Sequence, residues 1–285
     1  MQPGPDFGQG GNHQRRRNDK VTTPEETTSK QQAVKGFRLA QISDCHLPAS
    51  AEKPYRGLRA DTGLQQVLAA VADWQADAIL ITGDLSEDAS EASYQRLAGH
   101  IAELKVPVFA LPGNHDLPGR MQHCFPQGPY LPYPGSAVQR AGNWQLLMLD
   151  SARPGRIDGR IDAQQLERLE QQLQAGIPAL LALHHQPVAI GTPWIDRYPL
   201  QQPGPLLEFV AAHPEIKAVL WGHVHRAFET VIDGRRFMSS PSTAANSLPG
   251  AARFSLDPRG PACRWFELFD DGRLDCGILY ALGVT

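Results

Sequence analysis

Cysteine is scarce in this chain of 285 residues: there are four, Cys45, Cys124, Cys263 and Cys276, and no two form a Cys-x-x-Cys pair. That usage excludes a disulfide framework and fits a reducing compartment. A basic excess is also missing. Lys and Arg number 27 against 30 Asp and Glu, a net charge of −3, so the bulk electrostatics carry no footprint of nucleic-acid binding. No apolar run approaches the ~20 residues of a membrane span. The N-terminus lacks the apolar segment of a secretory signal, which argues for the cytoplasm. No internal repeat is present. What remains, 41% hydrophobic and 20% charged residues, is the composition of a soluble globular protein long enough to bury a substantial core.

Residues 1–35 differ in character from the rest. They are rich in Gly, Pro, Gln, Thr and charge and poor in large apolar groups, so burial cannot offset their ordering entropy. They read as a disordered tail, which claims the Arg15–Arg17 run and His13, and residues 36–285 read as the folded domain. From Phe37 strands and helices alternate. Strands are expected over 37–43, 77–84, 107–113, 144–151, 179–185 and 218–224. Helices are expected over 60–75, 87–104, 162–173 and 204–213. Asp162, with Gln165 three residues on, resembles a capping box. Two hairpins follow, one turning on Asp233-Gly234 and a longer one around Asp270-Asp271-Gly272. The expected class is α/β, with two packed sheets and helices outside.

Metal-capable side chains gather at the carboxyl ends of five of these strands. They are Asp44-Cys45-His46, Gly83-Asp84, Gly113-Asn114-His115-Asp116, His184-His185 and His223-Val224-His225. In α/β sheets those ends line one edge, where ligands bind. Asp-x-His and His-x-His spacing aims both side chains one way if the segment is extended. Alone, Leu111–Asp116 reads equally well as a polar turn; five coincident segments do not read as five turns. Asp44, His46, Asp84, Asn114, His184, His223 and His225 exceed what one tetrahedral zinc uses. They suit two ions that share a carboxylate, the usual clamp for displacement at phosphorus. Carboxylate, amide and imidazole without thiolate favour Mn, Fe or Zn. Cys45, between two candidates, reads as apolar filler rather than a further ligand.

The succession DCH, GD, GNHD, LHH and GHVH resembles the calcineurin-like metallophosphoesterases over residues 37–282. Within them it is most similar to the bacterial class III 3′,5′-cyclic AMP phosphodiesterases, through ISDCHL, LPGNHD, LLMLDS, WGHVHRAFE and PSTAANS. The resemblance implies a four-layer αββα sandwich of two mixed sheets. It implies hydrolysis of 3′,5′-cyclic AMP, and of cyclic GMP as a second candidate, to the 5′-monophosphate. Carried over by position, one ion falls on Asp44, His46, Asp84 and His225. The other falls on Asp84, Asn114, His184 and His223, with Asp84 bridging. His115 faces the phosphate and assists the leaving group, Asp116 orients His115, and Asn114, His115 and His225 border the substrate. The implied partner is a small cyclic nucleotide, neither a nucleic-acid polymer nor a membrane, bound by a monomer or homodimer.

Three departures bear on specificity: Gln186 after His185, the Tyr55–Arg59 stretch in place of an Asn-containing one, and Ala244–Ala252 without aromatic or basic residues. Arg56 and Arg59 read as solvated unless one reaches a phosphate. A different phosphoesterase on the same centre (acting on glycerophosphodiesters or 2′,3′-cyclic nucleotides) and a non-catalytic metal-binding scaffold are the rival readings.

Overall fold

In strand β1 (Phe37–Ile42), Leu39 joins one apolar cluster while Ala40 and Ile42 join another, so the strand is covered on both faces. This computed structural model describes residues 35–124 and 135–281; the expected tail lies outside them, apart from Lys35. Helix α1 (Ala60–Trp74) turns Leu64, Val67, Leu68 and Val71 inward at one-face spacing. Strand β2 (Ala78–Thr82) repeats the alternation of β1, with Leu80 on one side and Ile79 and Ile81 on the other. Helix α2 (Glu91–Ala102) adds Leu97 and Ile101 to the α1 side, and β3 (Val108–Leu111) and the short α3 (Pro118–Cys124) follow.

The second half builds another sheet from β4 (Ser136–Ala141), β5 (Trp144–Leu149), β6 (Ala179–Ala182), β7 (Ile216–Trp221), β8 (Phe228–Ile232) and β9 (Arg235–Ser239). Its helices are α4 (Ala163–Gln172), the single turn α5 (Pro193–Asp196) and α6 (Gly204–Ala212). Strands β10 (Ala262–Leu268) and β11 (Leu274–Tyr280) then return to the first sheet, whose order is β11-β10-β1-β2-β3. The second sheet runs β4-β5-β6-β7-β9-β8. Both are mixed: β1, β2 and β3 are parallel, as are β5, β6, β7 and β9, and the outer hairpins are antiparallel.

Leu39, Leu80, Leu146, Leu180 and Leu220 fill the space between the sheets. Helices α1 and α2 cover one outer face, and α4 and α6 the other. These are the four expected layers. Both hairpins form as read, Asp233 and Gly234 taking the paired positive φ values (48° and 75°) of a two-residue turn. Among the described residues, no helix is long and apolar enough to cross a membrane.

The expected helix over 87–104 begins four residues late. Asp88 accepts from Ser90 N, and the Ser90 hydroxyl accepts from Ser93 N, so local side-chain bonds fix the cap at Ser90. Glu87 is thereby left in a loop, facing the centre described next. Strand β4 and helices α3 and α5 were not expected from the pattern.

Candidate metal centre

Because β1, β2 and β3 are parallel, and β5, β6 and β7 likewise, their carboxyl ends meet at one edge of the sandwich. Five loops leave that edge and pack directly on one another. The Asp44 carboxylate accepts the His223 backbone N–H at 3.0 Å, tying the two sheets together. Asp44 N and His46 N donate to the carbonyls of Gly83 and Asp84, both at 3.0 Å. Glycine is required where these loops cross. A Cβ on Gly113 would collide with the Asp84 carboxylate, and one on Gly222 with the Ser43 hydroxyl.

The ligand candidates do not converge by extended alternation, as their spacing suggested. Asp44, His46, Asp84, His223 and His225 all have positive φ, between 43° and 64°. Each segment bends sharply just after its strand, a conformation that L-residues adopt at a cost and that clusters at functional sites.

Asp84 stands in the middle. Its Oδ2 is 3.5 Å from His46 Nε2 and 3.4 Å from His184 Nε2, and its Oδ1 accepts the His115 backbone N–H at 2.9 Å. On one side His225 Nε2 lies 3.1 Å from His46 Nε2 and 3.5 Å from Asp44 Oδ1. On the other, the His184 and His223 rings are 5.0 Å apart. Each imidazole is held by the nitrogen that faces away. His46 Nδ1 meets Glu87 Oε2 at 2.8 Å, and His184 Nδ1 donates to Thr82 O at 2.7 Å. His225 Nδ1 donates to Ala245 O at 2.8 Å, and His223 Nε2 to Tyr198 O at 3.1 Å. Such outer bonds orient metal-binding histidines.

Asp44–His46–His225 and Asp44–Asp84–His184 each bring their ligand atoms within 4.8 Å of one another. His184 Nε2 and Asn114 Oδ1 are buried without a hydrogen-bond partner. An orphaned amide oxygen, and an imidazole nitrogen that faces a buried carboxylate without a hydrogen bond to it, are groups that a cation would satisfy. The donor set therefore fits two ions on either side of Asp84.

The electrostatics agree. Burial pushes the Asp84 carboxyl up, but the His184, His46 and His115 imidazoles outweigh it and hold it well below the usual range. Asp44 is pushed up to about 6 by burial, against the pull of His184. Burial opposes a charged His184, yet Asp84 and Asp44 outweigh it and lift its pKa to about 9. Burial and neighbouring imidazoles hold His223 and His225 well below their ordinary value, in the neutral form that binds metal.

His185 lies in the same group but is spoken for. Its Nδ1 meets the Ser151 hydroxyl at 2.8 Å and its Nε2 donates to Ile157 O at 3.0 Å. Gln186 points away, donating to Ile195 O. Cys45 packs in the apolar cluster under α1, its thiol pushed up to about 12 by burial.

Asp116 has a different job from the expected one. Its carboxylate accepts from Gly113 N, Leu85 N, Ser86 N and the Tyr94 hydroxyl, and so knits the Asp84 and Asn114 loops together. The orientation of His115 comes instead from Glu87, whose carbonyl accepts from Nδ1 at 3.1 Å and whose carboxylate lies 3.4 Å away. Nothing in the sequence pattern singled out Glu87, because it sits inside an expected helix. Arg59 pairs with exposed Glu52, as a solvated residue would. Arg56 does not.

The model for calcineurin-like phosphoesterases matches residues 37–227. The chain belongs to that family. It is 37% identical over 244 residues to the 3′,5′-cyclic adenosine monophosphate phosphodiesterase CpdA of Pseudomonas aeruginosa, covering 84% of this chain and 88% of that protein. It is 31% identical over 238 residues to a 3′,5′-cyclic-nucleotide phosphodiesterase of Nostoc sp., covering 82% and 88%. The fold is shared with a dimetal phosphatase from Danio rerio at 14% identity, with a TM-score of 0.65 over 87% of this chain and 99% of that one.

Proposed function

We propose that this calcineurin-like phosphoesterase uses two metal ions to hydrolyse 3′,5′-cyclic AMP, with cyclic GMP as a second substrate, to the 5′-monophosphate. The observation that carries the reading is the buried Asp84 carboxylate shared between His46 and His184, in a chain that matches cyclic-nucleotide phosphodiesterases over most of its length. Asp44, His46, Asp84 and His225 would hold one ion, and Asp84, Asn114, His184 and His223 the other. Once bound, such ions supply a nucleophile from water at neutral pH and offset charge on the phosphoryl oxygens. Oxygen and nitrogen donors without thiolate suit Mn, Fe or Zn. The four cysteines, all free, support a reducing, cytoplasmic setting.

The residues around the ligands have separable roles. His115 borders the phosphate, and its Nε2 is the edge left open by the Glu87 contacts at Nδ1. Burial opposes a proton on this ring, but Asp84, the Glu87 carbonyl and carboxylate, and Asp116 outweigh it and raise the pKa. The raised pKa favours the protonated ring, which is suited to give its Nε2 proton to the departing 3′-oxygen. Asp116 supports this group indirectly, by fixing the loop on which His115 rides.

The deciding experiment is turnover of 3′,5′-cyclic AMP, 3′,5′-cyclic GMP, 2′,3′-cyclic nucleotides, a glycerophosphodiester and bis(p-nitrophenyl) phosphate by Mn- or Fe-reconstituted protein. Release of the 5′-monophosphate from the 3′,5′-cyclic nucleotides is expected. Turnover confined to the other esters would move the activity elsewhere on the same centre, and no turnover at all would leave a metal-binding scaffold.

A further inference from the structure

The His46–His225 side of the centre is walled by aromatic rings that metal binding does not require. Tyr55 lies flat on the His46 ring, with centroids 4.2 Å apart and planes within 8°. Trp194 and Phe254 meet His225 edge-on at 6.3 and 6.1 Å, and each other at 5.5 Å. Phe254 thus supplies an aromatic that the stretch before it lacks.

One cation rests against this wall. The Arg56 guanidinium carbon is 3.8 Å from the centre of the Phe254 ring, 5.3 Å from that of Tyr55 and 5.9 Å from that of Trp194. Its Nε donates to the Tyr55 hydroxyl at 3.0 Å. Among the described residues no carboxylate pairs with it, and its two Nη groups have no protein acceptor. The backbone is strained to put it there. Tyr55 and Leu58 exchange both backbone hydrogen bonds, at 2.9 and 2.8 Å, so Arg56 and Gly57 form a two-residue turn with φ of 48° and 84°. Asn, Asp or Gly suits the first of those positions, and arginine does not.

An unpaired planar donor, set among stacking faces one ring away from a ligand imidazole, suits the base of a nucleotide whose phosphate lies on the metal ligands. Aromatic faces stack any base. The guanidinium is more selective, because it offers only donors. Guanine presents two adjacent acceptors, N7 and O6. Adenine presents N7 beside an amino donor that opposes a guanidinium. Building on the cyclic-nucleotide reading above, we infer that Arg56, with Phe254 and Trp194, forms a base subsite that reads guanine and raises cyclic GMP relative to cyclic AMP.

The test is the ratio of kcat/KM for cyclic GMP to that for cyclic AMP in wild type, Arg56→Ala and Arg56→Gln, with bis(p-nitrophenyl) phosphate as the substrate that has no base. Arg56→Ala is expected to lower the ratio about 5- to 150-fold, the span of one bidentate purine contact at ~1–3 kcal/mol. Its loss on the baseless substrate is expected to be the smaller one. Glutamine pairs with the adenine N6/N7 edge, so Arg56→Gln is expected to carry the ratio further toward cyclic AMP. An unchanged ratio in both variants overturns the subsite. Equal losses on all three substrates also overturn it, making Arg56 a phosphate contact.

A second readout does not depend on turnover. 5′-GMP is expected to quench the fluorescence of Trp194, identified by its loss in Trp194→Phe, at lower concentration than 5′-AMP, and Arg56→Ala is expected to erase that preference. Should wild type hydrolyse the baseless ester and neither cyclic nucleotide, the functional reading falls, and this titration still decides the subsite.

Discussion

Pinned at Nδ1 by Glu87 and more than a third exposed, His115 has one proton to offer, at Nε2. His115→Ala is expected to retain both metals by elemental analysis and to lose about 10²–10⁴-fold in turnover of a cyclic nucleotide. The loss on bis(p-nitrophenyl) phosphate is expected to be much smaller, since nitrophenolate departs without a proton. Equal losses would make His115 a charge contact instead. His184 governs a different proton. With its pKa lifted to about 9 in the metal-free protein, it is protonated at pH 7 and must release that proton to bind a cation. Between pH 7 and 9 the affinity for metal is therefore expected to rise by up to about tenfold per pH unit, flattening above 9. Calorimetric titrations in buffers of different ionisation enthalpy count the protons released; a flat affinity over that window contradicts the assignment.

Helix α4 shows what a sequence pattern can carry at the scale of an element. The Asp162 carboxylate accepts from Gln165 N at 2.8 Å, and Gln165 Oε1 accepts from Asp162 N at 3.0 Å, the reciprocal pair read from the spacing. Asp162→Ala is expected to cost about 1 kcal/mol of unfolding free energy and leave turnover unchanged. Gln165→Ala is expected to cost more, because Gln165 Nε2 also serves the Gly135 and Asp150 carbonyls, which are left without that donor. Urea denaturation ranks the two. Elements with strong periodicity or paired turn residues were legible in this way, and so was the gathering of Asp and His side chains at strand ends. The unread parts had weaker local signals. Strand β4 is an edge strand with a mixed face, α5 is a single turn, and α2 starts where Asp88 and Ser90 compete for the backbone. The left-handed bends at five candidate ligand residues, and the reach of Glu87 into the centre, depend on loops from different strands meeting. Periodicity within one segment does not encode such meetings.

The molecule as a whole is two sheets packed face to face and tied at one edge through this cluster. Asp44 and Asp84 belong to loops of the first sheet, and His184, His223 and His225 to loops of the second. A cation shared among them fastens both halves. Metal at 100-fold over its Kd stabilises the native state by about 2.7 kcal/mol per site. For a chain of this size, chelation is then expected to lower Tm by roughly 5–10 °C per site. A Tm indifferent to chelation would mean that the native fold does not hold the ions.

The outward bonds of the four candidate ligand imidazoles carry one more consequence. A carbonyl or carboxylate facing a ring nitrogen demands a hydrogen there, so the inward nitrogen is the one left to coordinate, at once on the neutral His223 and His225 and on His184 after it has released its second proton. His46, His184 and His225 thus become Nδ1–H tautomers and His223 the Nε2–H tautomer. The rings need not turn over to coordinate, which makes capture of the ion a matter of ligand exchange with little reorganisation of the protein. In a zinc-loaded sample, nitrogen-15 resonance is expected to find three rings of one tautomer and one of the other, each with a slowly exchanging ring proton.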